Sequence, residues 1–267
     1  MQGQTIMITL KNILPRPNIQ LLQIVSIFFG LLFSHNLFAQ NDLPEFHAKY
    51  AVQKLGVKLA EATYHLSHTD TGYKFTHNSQ LHGVARMLGK DSVSAVSYVD
   101  EVDGTLLLKK YHYVQQGREK NKDEKFSIQW NTSSKPVKGI ITGVVRSKLI
   151  SLETDKAVWE PLSFQIPLML EADKDIKEYL YNAILKGEIN TYNFVLTSSK
   201  SVTFANKQYQ ILQMVHTDTH RNHQLHIWLA PELNNMPVII VNYRDGKEHS
   251  RMQLESVQFN NEKTIKS

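Results

Sequence analysis

The chain of 267 residues contains no cysteine. It can therefore form no disulfide, present no thiolate nucleophile and build no thiolate metal site. With those chemistries excluded, its stability has to come from the burial of apolar side chains and from the pairing of strands.

Glycine is scarce, and the short signatures of common enzymes are absent. Only 12 glycines occur, most of them in predicted turns. The sequence has no G-x-S-x-G nucleophile turn, no H-E-x-x-H zinc motif, no glycine-rich phosphate loop and no dinucleotide fingerprint. We therefore predict no cofactor and no catalytic residue, and we favour a protein that is not an enzyme. A hydrolase of unknown substrate stays an alternative, because a Ser-His-Asp triad is recognised by its geometry.

Long runs of one charge are also missing. No stretch holds five or more like charges, and the 30 Lys and Arg residues are scattered along the chain. Nucleic-acid-binding domains gather their basic residues on one face, so we predict no nucleic-acid partner. The formal net charge is +5 for the whole chain. It falls to about +3 when Lys11 and Arg16 are removed with the leader described next.

The first 39 residues have the three parts of a secretory signal peptide. A start with Lys11, Arg16 and no acid is followed by the apolar run Ile19–Phe33, and Ala39 stands at the exit. The run of about fifteen residues is short of the ~20 that a spanning helix needs. We therefore predict cleavage after residue 39 and no membrane-spanning segment in the mature chain; an uncleaved anchor is the alternative. A thiol-free exported protein suits a bacterial periplasm, and residues 40–267 are predicted to form one domain.

Apolar side chains recur at every second position through most of the mature chain. Phe46, Ala48 and Tyr50 alternate with polar residues, and similar runs follow. A period of two is typical of half-buried β-strands. Asp103-Gly104 and Asp245-Gly246 lie between such runs and predict tight hairpins. We therefore predict a mostly β, antiparallel protein.

One segment, at about residues 157–186, interrupts this pattern and is predicted to be helical. Pro161 suits the first turn of a helix. The stretch Asp175–Leu185 is predicted to be the best helix of the chain, because its apolar residues recur at helical spacing. Those residues are Ile176, Tyr179, Leu180 and Ile184. The predicted fold is a curved antiparallel sheet or open barrel with a helical plug.

The apolar helical segment has two interpretations. It is either ordinary core or the mobile cover of a groove for an apolar ligand. Under the second interpretation, seven apolar residues in and near the segment are candidates for lining the groove. They are Trp159, Leu162, Phe164, Ile166, Leu168, Leu180 and Trp228.

The one dense group of metal-capable side chains consists of His216, Asp218, His220 and His223. If Arg221-Asn222 forms the turn of a hairpin, His220 faces His223 and the other two lie on the same face. Three imidazoles and a carboxylate are suitable ligands for Zn or Cu. The alternative is a solvated hairpin tip, and a register shift of one residue would scatter the set.

Three carboxylates, those of Glu153, Asp155 and Glu160, precede the helical segment. A pair of carboxylates there could perform acid–base chemistry on a glycoside. We favour a structural role, in which a carboxylate complements the exposed amides at the start of a helix.

Four short motifs carry a family resemblance. They are Phe46-x-Ala48-x-Tyr50, Glu160-Pro161-Leu162-Ser163, Ile227-Trp228-Leu229-Ala230-Pro231 followed by Pro237-Val238, and Asp245-Gly246. Together they resemble exported bacterial proteins grouped as domain of unknown function 3108, over about residues 44–259. Relatives are expected to carry Asp where Glu160 stands. The resemblance implies a periplasmic, β-rich protein and transfers no activity. By fold analogy alone, the protein is similar to the LolA-like carriers that ferry lipoproteins across the periplasm.

We therefore expect an exported, non-enzymatic protein that binds an apolar or lipid-like ligand or a protein partner of the cell envelope. Two alternatives stay open: an envelope structural or assembly protein with a fully packed core, and the hydrolase. An elongated apolar cavity between the sheet and the helical segment would favour ligand binding.

Overall fold

The structure is a computed structural model that describes residues 42–83, 92–117, 122–204, 206–260 and 264–266. The predicted signal peptide, residues 1–39, lies outside these residues.

Sixteen β-strands occur in the described ranges. They are β1 (Phe46–Lys54), β2 (Val57–Thr69), β3 (Gly72–Leu81), β4 (Ser92–Val102), β5 (Thr105–Gln116), β6 (Glu124–Asn131), β7 (Lys138–Val145), β8 (Lys148–Thr154), β9 (Val158–Trp159), β10 (Glu178–Leu185), β11 (Glu188–Phe204), β12 (Lys207–Asp218), β13 (His223–Ala230), β14 (Met236–Arg244), β15 (Lys247–Phe259) and β16 (Ile265–Lys266). The α-helix of the described chain, α1, spans Gln165–Glu171, and a 3-10 helix spans Pro231–Leu233.

Fifteen of these strands form one nearly closed, barrel-like sheet. Its order is β8-β7-β6-β5-β4-β3-β2-β1-β15-β14-β13-β12-β11-β10-β9, and β16 pairs with β15. Strand β1 pairs antiparallel with both β2 and β15, and so joins the two runs of hairpins. The pairing of β9 with β10 is parallel. The prediction of a mostly β protein with an antiparallel sheet is confirmed.

The period of two places alternate side chains in the core. In β1, Phe46, Ala48 and Tyr50 are buried, whereas His47 is exposed and Lys49 is half-buried. Apolar side chains from the strands and from α1 join in a single core cluster. Burial of this apolar surface is the main stabilising contribution available to a chain without disulfides.

Both predicted Asp-Gly hairpins are confirmed. Asp103 and Gly104 connect β4 to β5 with φ angles of 50° and 74°. Asp245 and Gly246 connect β14 to β15 with φ angles of 49° and 70°. Two successive positive φ angles match the twist of the flanking strands, and Asp and Gly are among the residues that adopt them most easily.

The short helix α1 packs into the core. Ile166 and Leu168 have no exposed surface. At the C-terminal end of the helix, the side-chain amide of Asn235 donates to the backbone oxygens of Met169 and Ala172 at 2.8 and 3.1 Å. These bonds satisfy carbonyls that a helix end leaves without a partner. Within the ranges given above, no helix combines the length and the apolar character needed to cross a membrane.

The predicted helix Asp175–Leu185 is wrong, because most of this stretch is strand β10. Tyr179, Tyr181 and Ala183 are buried at alternate positions, whereas Leu180 between them is 67% exposed. Pairing with β11 sets this period, with Tyr181 opposite Tyr192. The helical part of the insertion is therefore shorter than residues 157–186.

Candidate functional site

A pocket of about 430 Å³ lies between the helical segment and the sheet. Strands β10 to β14 supply most of its wall, and Pro161 and Phe164 supply the opposing side. The ring of Phe164 stacks on that of Phe194, with 5.7 Å between centroids and an angle of 8° between planes. The volume falls within the range of roughly 300–1,000 Å³ that is usual for small-molecule sites.

The register of β12, β13 and β14 arranges side chains of this face in three rows. From the core outward, the rows are Met214–Ile227–Ile240, His216–Leu225–Asn242 and Asp218–His223–Arg244. Residues two apart on a strand share a face, so the three rows follow one another along the same surface. The surface therefore changes from a wholly apolar row at Met214 to a row with charged side chains at Asp218, four residues further along β12.

Aromatic side chains of β10 and β11 form the neighbouring part of the wall. Tyr181 and Tyr192 are cross-strand partners and both line the pocket. Burial raises the pKa of Tyr192, an effect that the nearby Arg221 opposes. The ring of His216 lies 4.6 Å from that of Tyr192, and its Nδ1 donates to the backbone oxygen of Asn193 at 3.1 Å. This bond fixes the orientation of the imidazole and leaves Nε2 as the acceptor of the neutral ring.

Basic side chains surround the outer part of the pocket. Lys186, Arg221 and Arg244 line it together with one carboxylate, that of Asp218. Arg221 Nε lies 3.7 Å from Asp218 Oδ2, and the Arg221 backbone N–H donates to Asp218 Oδ1 at 3.2 Å. The pocket thus combines an apolar interior with a rim on which cations outnumber carboxylates.

Four of the seven predicted groove residues belong to the packed core. Trp159 and Leu162 are each 5% exposed, and Ile166 and Leu168 are completely buried. Phe164 is half-buried and is the one of the seven that lines the pocket. The interior under α1 is therefore filled, and the accessible space begins at Phe164.

The other two candidates lie elsewhere on the sheet. Leu180 was placed in the groove by the predicted helix, but strand geometry turns it outward and leaves it exposed. Trp228 lies on the face of β13 opposite to Ile227 and Leu229, where its ring is 5.7 Å from that of His226. Both placements are corrections to the predicted groove.

The observed strand register differs from the one on which the predicted metal set depends. Residues 219–222 form the turn, so His223 faces Asp218 and not His220. His216, Asp218 and His223 line the pocket, and His220 lines a neighbouring one to which His216 and Asp218 also contribute. Among residues with described positions, no three His, Asp or Glu side chains are grouped to hold a metal ion. Metal binding by this set stays a prediction to which the geometry adds no support.

Glu160 connects the helical segment to the barrel wall. Its side chain is completely buried and accepts the hydroxyl of Ser97 at 2.5 Å, and the N–H groups of Leu162 and Ser163 at 2.7 and 2.9 Å. This is the structural role favoured by the sequence, because the carboxylate satisfies amides where the helical segment begins. Glu153 and Asp155 are exposed, so they do not share this enclosed environment.

Burial also predicts how Glu160 affects stability at different pH values. Burial raises the pKa of Glu160 above its ordinary value of 4.5, although its hydrogen bonds oppose the change. Between these two pKa values the folded state holds a proton that the unfolded state has lost, so the free energy of unfolding decreases as pH rises. The Glu160→Gln variant lacks this contribution.

We therefore expect the free energy of unfolding of the wild type to fall relative to that of Glu160→Gln as pH rises above about 4.5, and the difference to level off above the raised pKa. Urea unfolding of both proteins between pH 4 and 8 measures this difference. Curves that stay parallel across the range would contradict the assignment.

Sequence reasoning did not find the most informative pocket residues. Tyr181 lies in the stretch that the sequence predicts to be helical, and no short motif singles out Tyr192. Arg244 precedes the correctly predicted Asp245-Gly246 turn, but that turn joins β14 to β15 and does not define the β13–β14 register that places Arg244 opposite His223. The register of the paired strands brings these residues together, and short-range sequence patterns do not define that register.

Comparisons with known proteins agree with the fold and assign no activity. The family described as "Protein of unknown function (DUF3108)" matches residues 45–249. A crystal structure of a β-barrel-like protein of domain of unknown function DUF1849 from Brucella abortus is similar, with a TM-score of 0.54 and 11% sequence identity. The similarity covers 82% of this chain and 99% of that chain. A search of curated proteins finds no match.

Proposed function

The chain belongs to the DUF3108 family of proteins of unknown function, and since this membership carries no activity we propose from the site itself that it binds an apolar, lipid-like ligand without transforming it. The observation that carries the proposal is the pocket between Phe164 and strands β10 to β14. A concave site with aromatic and aliphatic walls and a few convergent polar groups is the usual form of a small-molecule site.

The walls favour a ligand with an apolar part. Phe164, Tyr181, Tyr192 and Leu225 all line the cavity. Apolar surface removed from water contributes about 25 cal/mol per Å² to binding, before the costs of ordering are subtracted. Binding is favoured over catalysis because Glu160, the carboxylate considered for acid–base chemistry, is enclosed and fully hydrogen-bonded.

The proposal includes export to the periplasm. It rests on the composition of residues 1–39, where a basic start, an apolar run and a small residue follow one another. An exported protein with a site for lipids would act in the cell envelope, which is the setting of the lipoprotein carriers named above by analogy. The N-terminal residue of protein isolated from a periplasmic fraction tests this part of the proposal: a mature chain that still contained residues 1–39 would contradict it.

A second candidate is an envelope structural or assembly protein. The complete burial of Ile166 and Leu168, and the near-complete burial of Trp159 and Leu162, favour it, because the space under α1 is packed as in an ordinary core. The two candidates differ in what they predict for the pocket: only the first requires it to take up a ligand.

The test uses a neutral apolar fluorophore, N-phenyl-naphthylamine, and a variant that fills the cavity. Leu225→Trp adds volume to a pocket wall, and we expect it to weaken probe binding at least about tenfold, since overpacking opposes entry of a ligand. Leu180→Trp adds the same volume on the outer face and should bind like the wild type, because Leu180 is 67% exposed.

The native ligand is sought by mass spectrometry after mild extraction of the purified protein. Lipid that copurifies with the wild type and is lost from Leu225→Trp would support the proposal. Absence of both probe binding and copurifying lipid would overturn it in favour of the structural protein. Equal loss of binding in both tryptophan variants would also contradict it, because the effect would not depend on the pocket.

A further inference from the structure

The charges around the pocket are not balanced. Lys186, Arg221 and Arg244 line it, with Asp218 as the single carboxylate. Asp218 is engaged by Arg221 through its side chain and its backbone N–H. In the described part of the chain, Lys186 and Arg244 form no ion pair with a carboxylate of the protein. Two cations therefore face the pocket with their charge available to a ligand.

The register places these cations at one end of the pocket. Arg244 is opposite His223, which is opposite Asp218, so the three form the outermost row of the wall. Lys186 lies in the turn between β10 and β11 and also lines the pocket. The adjoining row holds Leu225, and apolar core follows it. The charge is thus separated from the apolar interior along the strand direction.

The charged end and the apolar interior of the pocket match the charged head group and the apolar chain of an amphiphile. An arginine guanidinium presents a planar fork of donors that fits a carboxylate or a phosphate, and a lysine adds a point charge. His223, in the same row as Arg244, can donate to the same group. An uncharged head group would leave the cations without a partner, and a cationic head group would be repelled.

We infer that the pocket ligand is an anionic amphiphile, whose carboxylate or phosphate group lies against Arg244 and Lys186 and whose chain lies against Phe164, Tyr192 and Leu225. This assignment rests on the proposed function and names the ligand class for the same site. It predicts that affinity depends on the charge of the head group at constant chain length, and that this dependence requires Arg244.

The experiment measures the binding of four dodecyl compounds by displacement of N-phenyl-naphthylamine: dodecanoate, dodecyl phosphate, dodecanol and dodecyltrimethylammonium. The variant is Arg244→Gln. The matched control is Lys247→Gln, which removes a positive charge from the residue directly opposite Arg244 across the β14–β15 turn and does not line the pocket. Inorganic phosphate alone is added as a competitor, to separate the recognition of a lipid head group from that of a free anion.

We expect the two anions to bind at least about tenfold more tightly than dodecanol, and the ammonium compound to bind weakest. Arg244→Gln should reduce anion affinity about tenfold and leave dodecanol affinity unchanged, because a charge-assisted hydrogen bond is lost while the apolar wall stays intact. Lys247→Gln should change neither affinity more than about twofold.

Four results would overturn the inference. Equal binding of dodecanol and dodecanoate by the wild type would contradict the requirement for an anionic head group, while leaving the proposed function in place. An equal loss of all ligands in Arg244→Gln would show a general effect on the pocket. Inorganic phosphate that binds as tightly as dodecyl phosphate would show an anion site without a site for the chain. Binding of none of the dodecyl compounds would overturn the inference and the proposed function together.

Discussion

Replacing Glu160 with alanine is expected to lower the free energy of unfolding by about 3–5 kcal/mol, one of the two largest effects that the structure predicts for a single substitution. The carboxylate accepts three buried donors: the Ser97 hydroxyl and the N–H groups of Leu162 and Ser163. Each buried donor left without a partner costs about 1–3 kcal/mol. The missing side chain also leaves a cavity in the core, which adds to the loss.

Urea unfolding at pH 7 measures this effect, and Glu153→Ala is the matched control. Glu153 is exposed on β8, so its removal should change the free energy of unfolding by less than about 0.5 kcal/mol. Glu160→Gln should lie between the control and Glu160→Ala, because an amide oxygen still accepts some of the hydrogen bonds. A loss below about 1 kcal/mol for Glu160→Ala would mean that the three donors find other partners.

The same bonds connect the core to the proposed ligand site. Glu160 fixes the turn that contains Pro161 and leads to Phe164, and both of these residues form one side of the pocket. Ser97 belongs to β4, so the bond from its hydroxyl holds this turn against a distant part of the barrel. A buried carboxylate thus positions the wall of the pocket without contacting a ligand.

Local patterns were sufficient to predict most strands and two turns. Alternation in β1 and the Asp-Gly pairs at 103–104 and 245–246 depend on neighbours in the sequence, and the structure confirms them. The helix predicted for Asp175–Leu185 is wrong because its structure depends on pairing with residues outside the stretch. Its apolar residues fit both the helical period of about 3.6 residues and the strand period of two. Pairing with β11, in which Tyr181 lies opposite Tyr192, stabilises the strand. Tertiary context often overrides such propensities.

The candidate site could be predicted only in part. The cluster around His216 to His223 was recognised from its residue types, and three of its four members do line the pocket. Its geometry depended on a four-residue turn at 219–222, which moved His220 away and placed Asp218 opposite His223. A change of register by one residue turns each side chain to the other face, so a site at a hairpin end is sensitive to it. Lys186 comes from a different hairpin, β10–β11, and the pairing of β11 with β12 brings it to the same pocket.

The second large effect is expected at Gly143, where β7 approaches β6 closely. Gly143 pairs with Phe126, and a Cβ added there would collide with the backbone oxygen of Lys125 and with Cα of Phe126. Both atoms belong to the backbone of the neighbouring strand, so a change of rotamer cannot relieve the contact. Glycine within a strand often marks such an approach. We expect Gly143→Ala to lower the free energy of unfolding by about 3 kcal/mol, and Gly143→Val by more.

Thr142→Ala on the same strand is the control, because Thr142 is exposed and its removal should cost no more than about 1 kcal/mol through strand propensity alone. Chemical unfolding of the three variants and the wild type provides the comparison. If Gly143→Ala were as stable as Thr142→Ala, β6 and β7 would have to separate without loss of pairing. Phe126 is 2% exposed in the core cluster, so moving its backbone would disturb packing well beyond the two strands. The size of the loss therefore reports how rigidly this part of the barrel is held.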